Sequence, residues 1–162
     1  MDKLLRSFDP VIRPDARLLI CGSLPGARSL AAGLYYAHPQ NQFWRLIGAV
    51  IEAPLTELGY EERLAALGDV GIGLWDVVAS GRRRGSLDGA IRLHETHDLA
   101  ELVSAHPMLR AIGFNGGTAF RIGAPLLAGT NVDLVILPSS SPAYTLSFER
   151  KLEQWLKLRS YL

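Results

Sequence analysis

Two asparagines and two neighbouring tyrosines stand at positions where their side chains could do chemistry. Tyr35 and Tyr36 precede Asn41, which lies where a helical pattern begins, and Asn115 follows the strand-like run Leu109 to Phe114. An aromatic ring can stack on a flat ring, and an asparagine amide can hold a water molecule or pair with the polar edge of a base. These residue types indicate a site for a flat, polar ligand.

Each of these residues also has a purely structural interpretation. Asparagine is a preferred helix N-cap, so Asn41 could merely cap the helix that holds Phe43 and Trp44. Asn115 precedes two glycines and could belong to an ordinary turn. Tyr36 could pack in the core. Residue type alone leaves both interpretations open.

Two loops of unusual composition accompany these residues. One consists of Gly22-Ser23-Leu24-Pro25-Gly26 and follows the apolar run Arg17 to Cys21. Glycines in a strand-to-helix turn permit close approach of the backbone to an anion or a flat ring, although a simple tight turn would have the same composition. The other loop is rigidified by prolines, and its hydroxyls and amides suit contacts with phosphates. It consists of Leu137-Pro138-Ser139-Ser140-Ser141-Pro142-Ala143-Tyr144.

The serines of the second loop do not suit nucleophilic catalysis. A nucleophilic serine needs a partner base, and His38 is the only histidine in a candidate loop. The chain has no Gly-x-Ser-x-Gly elbow. Its other histidines lack metal-ligand spacing, and its only cysteine, Cys21, lies in an apolar run. We therefore expect no metal site.

One dense basic cluster, Arg82-Arg83-Arg84, lies between two glycines. The formal net charge of the chain is only +1, so a nucleic-acid partner would have to be bound by a local patch. The cluster is either a solvated loop or a set of sequence-independent contacts to DNA phosphates.

The elements that must position these residues alternate between strands and helices. Such alternation predicts an α/β fold, a three-layer α/β/α sandwich around a mainly parallel sheet of about four strands. The predicted strands are 17–21, 70–78, 109–114 and 132–137, and the main predicted helices are 41–51, 60–67, 98–105, 117–127 and one from residue 148. Ligands bind beyond the carboxyl ends of such strands, so the loops after Cys21, Phe114 and Leu137 should line one cleft.

The whole chain is of ordinary size and composition. With 162 residues and no linker, it is predicted to form one domain, residues 1–162. It has neither an apolar stretch long enough to cross a membrane nor an N-terminal signal peptide. We expect a cytoplasmic protein without an obligate protein partner.

The motifs resemble those of the uracil-DNA glycosylase superfamily, from about Arg17 to the C-terminus. Its mismatch-specific branch has a Gly-x-x-Pro-Gly loop, an aromatic residue and then Ala-His-Pro-x-Asn-x-Phe-Trp, which here ends on Asn41, Phe43 and Trp44. The loop 137–144 is similar to the superfamily's second motif, whose tip wedges into the minor groove. Where other branches carry a water-positioning Asn or Asp, this chain has Leu24.

With Leu24 in that place, the chain more closely resembles the hypoxanthine-DNA glycosylase branch. That resemblance makes Asn41 the essential amide and Asn115 a second functional amide. It implies that the loop 22–26 and Tyr36 bind the base. It also implies that residues 139–144, with the cluster 82–84, contact DNA.

The function implied by this resemblance is that of a monofunctional DNA glycosylase in base excision repair. Such an enzyme flips a deaminated base out of DNA and hydrolyses its N-glycosidic bond with a positioned water, without a cofactor. Hypoxanthine is the expected base, with uracil a close second. Two alternatives remain at this point: a catalytically silent nucleic-acid-binding member of the superfamily, which Leu24 favours, and a hydrolase of small nucleosides or esters.

Overall fold

The computed structural model describes residues 4–83 and 91–162, and its centre is a four-stranded parallel sheet. The strands in chain order are β1 (Leu4–Arg6), β2 (Leu18–Gly22), β3 (Ile72–Asp76), β4 (Val78–Arg82), β5 (Arg92–Thr96), β6 (Ala111–Asn115) and β7 (Asp133–Leu137). The order in the parallel sheet is β3-β2-β6-β7. The predicted parallel sheet of four strands is confirmed.

Helices cover both faces of this sheet. They are α1 (Ala27–Ala32), α2 (Phe43–Ile51), α3 (Tyr60–Asp69), α4 (Leu99–Ala105), α5 (Gly117–Gly123) and α6 (Phe148–Trp155), with short 3₁₀ segments at Leu55–Glu57, Ala124–Leu127 and Leu156–Tyr161. No helix in the described part of the chain is both long and apolar enough to span a bilayer.

Strand β2 is buried on both sides because its side chains alternate between the two helical layers. Leu18 and Ile20 belong to the core that contains the aromatic residues of α2 and α6. Leu19 and Cys21 belong to the opposite core, with residues of α4 and α5. Two separate apolar cores on the two faces of one sheet define the predicted three-layer sandwich.

A second, antiparallel sheet was not predicted. It has the order β1-β4-β5. The single strand predicted over residues 70–78 is wrong: β3 ends at Asp76, and β4 begins at Val78 in the other sheet. The chain leaves the parallel ladder at this point, where the N–H groups of Val77 and Val78 donate to the carbonyls of Gly22 and Ser23.

The strand order places a crevice at one end of the parallel sheet. From β2 the chain proceeds to β3 on one side, and β6 pairs on the other side of β2. Loops that leave neighbouring strands in opposite directions cannot cover the gap between them, which makes such a position the usual ligand site of an open α/β sheet. Gly22 and Asn115, the last residues of β2 and β6, flank this position.

Candidate active site

A cavity of about 680 Å³ opens at the carboxyl ends of the parallel strands. This volume suits a ligand of nucleoside size. The loops that follow Cys21, Phe114 and Leu137 all line it, as predicted. Of the predicted site residues, its walls include Gly22, Ser23, Leu24, Pro25, Gly26, Tyr36, Asn41, Asn115, Ser139, Ser140, Ser141, Pro142, Ala143 and Tyr144.

A buried carboxylate lies in the wall of this cavity. Asp76 ends β3 and is only 3% exposed. A Cβ atom built on Gly22 would lie 2.7 Å from Asp76 Oδ1 and 3.2 Å from the Tyr36 hydroxyl, so only glycine lets these groups approach. Sequence reasoning missed Asp76, although its place at the carboxyl end of a buried strand was a usable signal.

Tyr36 presents an aromatic ring that is supported from behind. Its ring stacks on Phe43, with centroids 3.9 Å apart and planes 9° from parallel. Phe43 and Trp44 are buried in the core, as predicted. The backbone of Tyr36 has φ +54°, a conformation that costs energy for a residue with a side chain and that concentrates at functional sites.

The side chain of Asn41 makes two hydrogen bonds through its oxygen. Asn41 Oδ1 accepts from the backbone N–H of Phe43 at 2.9 Å and from the Ser140 hydroxyl at 2.8 Å. The first bond satisfies the first N–H of α2, as a cap would, although the N-cap residue of this helix is Gln42 rather than Asn41. Asn41 Nδ2 has no hydrogen bond within residues 4–83 and 91–162, and Asn41 lines the cavity.

Asn115 is bonded to the same serine from the other side. Its Oδ1 accepts from the backbone N–H of Ser140 at 2.9 Å. Its Nδ2 donates to the Ser140 hydroxyl at 2.9 Å and to the Tyr36 hydroxyl at 3.3 Å. Both hydrogens of the Asn115 amide are therefore used within the protein, and direct contact between Asn115 and a base stays a prediction.

The direction of every hydrogen bond in this network follows from two backbone amides. A backbone N–H can only donate, so the atoms that face Phe43 N and Ser140 N must be the oxygens of Asn41 and Asn115. Asn115 then offers Nδ2 to the Ser140 hydroxyl, whose own hydrogen points to Asn41 Oδ1. Asn41 consequently keeps its two N–H donors for the cavity.

Helix α6 holds the loop that carries Ser140. Lys151 Nζ donates to the carbonyl of Ser141 at 3.2 Å, and Trp155 Nε1 donates to the carbonyl of Pro138 at 2.9 Å. These two donors are four residues apart and so lie on one face of the helix. Burial lowers the pKa of Lys151, because removal from water disfavours its charged form.

The Gly22–Gly26 loop is held by a buried arginine. Arg83 is 4% exposed, and its guanidinium donates to the carbonyls of Leu24 at 3.3 Å and Pro25 at 2.6 Å. The predicted phosphate contact of Arg83 is therefore corrected: its charge lies inside the protein, bonded to the loop. Arg82 is half-buried in β4, and Arg84 lies outside the described residues.

The predicted phosphate contact of Ser140 is also corrected. Ser140 is 1% exposed, and its polar atoms are occupied by the two asparagines, so no phosphate can reach it. Ser139, Ser141, Pro142 and Ala143 have some exposure, and Tyr144 is 47% exposed. These five residues remain predicted DNA contacts.

Two exposed arginines in the cavity wall were missed. Arg28 lies on α1 and Arg121 on α5. The side chain of neither arginine makes a hydrogen bond or salt bridge with another residue in the described part of the chain.

The described residues contain no group of three His, Cys, Asp or Glu side chains that could hold a metal ion. Burial raises the pKa of the Cys21 thiol, so this residue is no nucleophile.

The cavity at the end of the parallel sheet is lined by amides and a carboxylate, and the described residues contain no metal cluster. This arrangement is the framework of an α/β enzyme. Residues 10–161 match the family model of the uracil DNA glycosylase superfamily. The chain belongs to this superfamily, and the predicted class of DNA glycosylase is confirmed.

Individual relatives are similar over nearly the whole chain. It is 39% identical over 150 residues to a protein of Methanosarcina acetivorans named hypoxanthine DNA glycosylase, covering 93% of this chain and 94% of the relative. A Methanosarcina barkeri protein of the same name is 38% identical over 150 residues, with the same coverage. A solution NMR structure from M. acetivorans, provisionally named a uracil DNA glycosylase, has a TM-score of 0.88, with 38% identity and 97% coverage of both chains.

The burial of Arg83 generates a prediction about stability. Arg83→Gln removes a buried charged donor from two carbonyls of the loop, so the free energy of unfolding should fall by ~2 kcal/mol. Arg82→Gln, at the adjacent position where β4 ends, should cost less than ~1 kcal/mol, because Arg82 is more exposed. Urea unfolding of both variants measures the difference. An Arg83→Gln protein of parental stability, with a reduced salt dependence of DNA binding, would restore the phosphate-contact interpretation.

Proposed function

We propose that this chain is a monofunctional DNA glycosylase that removes a deaminated base, hypoxanthine foremost and uracil second, by hydrolysing its N-glycosidic bond. The named function of the two Methanosarcina relatives supports this choice of base. The observation that carries the proposal is the amide of Asn41, whose oxygen is fully bonded and whose N–H donors are left for a cavity of nucleoside size.

In this proposal the cavity receives a base flipped out of the DNA stack. Tyr36 supplies the surface on which the base stacks, with Phe43 supporting its other face. The carboxylate of Asp76 accepts a hydrogen bond from the ring N–H of the base. Hypoxanthine and uracil both carry such an N–H beside a carbonyl. Adenine lacks it.

The chemistry needs a well-placed water rather than a strong base. Cleavage of the C–N bond passes through an oxocarbenium-like state, which water can attack without full deprotonation. Asn41 Nδ2 donates to the water oxygen and leaves that oxygen a lone pair for C1′. The new C–O bond forms as the C–N bond breaks, the electron pair leaves with the base, and the base takes up one proton from water. Positioning and electrostatics supply the rate.

The first test of this function is a substrate panel combined with variants of Asn41. The parent enzyme should cut duplexes that contain hypoxanthine fastest and uracil next, in comparison with xanthine and thymine. Strands should break only after alkali. Asn41→Ala should lower the single-turnover rate on the order of a hundredfold, and loss of the cap should cost ~1 kcal/mol of stability.

Asn41→Asp is the matched control, because it keeps an oxygen for Phe43 and Ser140 but replaces the N–H donors by a second oxygen. Its stability should be close to that of the parent, whereas its rate should be as low as that of Asn41→Ala. A folded Asn41→Ala enzyme that cuts every base at the parental rate ends the proposed role of Asn41. A parent enzyme that cuts no base in the panel identifies a silent DNA-binding member.

Tyr144 is the proposed wedge. It is the most exposed large apolar side chain of the second loop, and Lys151 Nζ lies 5.4 Å from its ring centre. Enzymes that extrude a base fill or hold the gap with an apolar or aromatic side chain. Tyr144→Ala should therefore reduce activity on paired duplex far more than on single-stranded DNA, in single-turnover assays of the same lesion. Equal losses on both substrates would make Tyr144 a packing residue.

The contacts to DNA phosphates are assigned to Arg28 and Arg121, since both are exposed cations in the cavity wall. Each of the variants Arg28→Gln and Arg121→Gln should weaken duplex binding about equally for all sequences. Each should also reduce the slope of log affinity against log salt by about one. Fluorescence anisotropy between low and moderate salt gives this slope. Arg150→Gln, on α6 outside the cavity, is the comparison, and an unchanged slope in both cavity variants refutes the assignment.

A further inference from the structure

We propose that Ser140 is a positioning residue of the reaction, which fixes the Asn41 amide with its N–H donors toward the cavity. This inference rests on the proposed function of Asn41. It gives Ser140 a role different from that of its neighbours Ser139 and Ser141. Among the residues that the structure describes, the hydroxyls of those two serines bond only inside their own loop, where they accept from the N–H groups of Ser141 and Ala143.

The hydroxyl and the N–H of Ser140 bond to the two asparagines, while its carbonyl accepts from the N–H of Gln42 at 3.0 Å. Its hydroxyl donates to Asn41 and accepts from Asn115, and its N–H donates to Asn115. Ser140 therefore links the start of α2 to the end of β6. Within the described residues, the side chains of Asn41 and Asn115 make no hydrogen bond to each other. With 1% of its surface exposed, Ser140 cannot bind phosphate, so any influence on the reaction passes through the residues that it bonds, and of these Asn41 has amide donors left for the cavity.

A second donor holds the Asn41 amide more rigidly than the Phe43 N–H does alone. The terminal torsion of an asparagine side chain is broad, and the Phe43 N–H alone constrains only one side of Oδ1. The Ser140 hydroxyl occupies the remaining acceptor position of this oxygen. A flipped amide would set Nδ2 against the Phe43 N–H, which can only donate, and would lose both hydrogen bonds to Oδ1. Ser140 thus adds a second hydrogen bond to the orientation that the Phe43 N–H selects, in which Nδ2 faces the cavity.

Helix α6 holds Ser140 in place for this task. The carbonyls of Pro138 and Ser141 lie on either side of Ser140 in the chain, and Trp155 and Lys151 bind them. Trp155 is fully buried and also contacts the Phe43 ring edge-on, with centroids 5.8 Å apart. The same indole therefore touches both the loop of Ser140 and the helix of Asn41. A site held from two sides in this way can keep the precise geometry that catalysis requires.

The experiment is a double-mutant cycle between Ser140 and Asn41, read from single-turnover rates on saturating hypoxanthine duplex. Ser140→Ala should lower the parental rate by ~10-fold, the effect of one lost hydrogen bond, with duplex affinity unchanged. In the Asn41→Ala background the same change should lower the rate by less than ~2-fold, because the amide that Ser140 orients is gone. A further ~10-fold loss in that background would overturn the proposal.

Two comparisons keep the result interpretable. Ser160→Ala, which changes an exposed serine of the 3₁₀ segment Leu156–Tyr161 outside the cavity, should leave duplex affinity and the saturating rate near those of the parent. Ser140→Ala showing that same pattern would also overturn the proposal. If Ser140→Ala does not fold, Ser140→Cys replaces it in the cycle, since sulfur fills a similar space with a weaker donor. A parent enzyme that is inactive on every base is a different outcome, because it removes the proposed function itself.

Discussion

Two backbone N–H groups, those of Phe43 and Ser140, determine the direction of every hydrogen bond in the amide network of the cavity. Because neither can accept a hydrogen bond, each fixes the oxygen of one asparagine. The hydroxyl between those asparagines then has only one way to point. The donors that face the cavity are therefore set by the fold before any ligand binds. Such preorganisation is the main source of electrostatic catalysis, since no dipole has to turn during the reaction.

In the proposed function, one side chain both stabilises the start of a helix and serves the reaction. Asn41 bonds the first N–H of α2 through its oxygen, and this bond leaves its nitrogen for the cavity. In that function the same division of tasks accounts for Leu24. The loop 22–26 contributes backbone rather than a polar side chain, and Arg83 holds that backbone by two carbonyls. The polar group that other branches place in this loop can be supplied from the start of α2 instead.

The sequence predicted those parts of the structure that depend on strong patterns. Continuous apolar runs such as Leu18 to Cys21 and helical spacing around Phe43 define the parallel sheet and its helices, and strand order then brings the loops together. The antiparallel sheet was not predicted because β1 and β5 are short and contain charged residues. The burial of Arg83 was not predicted either, because a charged residue is expected in solvent and no sequence pattern shows that carbonyls will surround it.

Within the site, the limit of prediction is the direction in which a side chain points. Ser139, Ser140 and Ser141 are chemically identical, and only the path of the loop selects the middle one for burial. Asp76 is similarly placed by β3 against a glycine whose missing Cβ leaves room for a carboxylate.

The position of that carboxylate suggests how, in the proposed function, hypoxanthine is distinguished from adenine. Deamination of adenine converts its ring nitrogen N1 from an acceptor into an N–H donor. Adenine would set the lone pair of N1 against the Asp76 carboxylate, and two acceptors that face each other repel. Hypoxanthine would donate its N1–H to this carboxylate. In the proposed function, discrimination against adenine then depends on one proton of the base, and the absence of a side chain on Gly22 leaves room for the carboxylate that reads it.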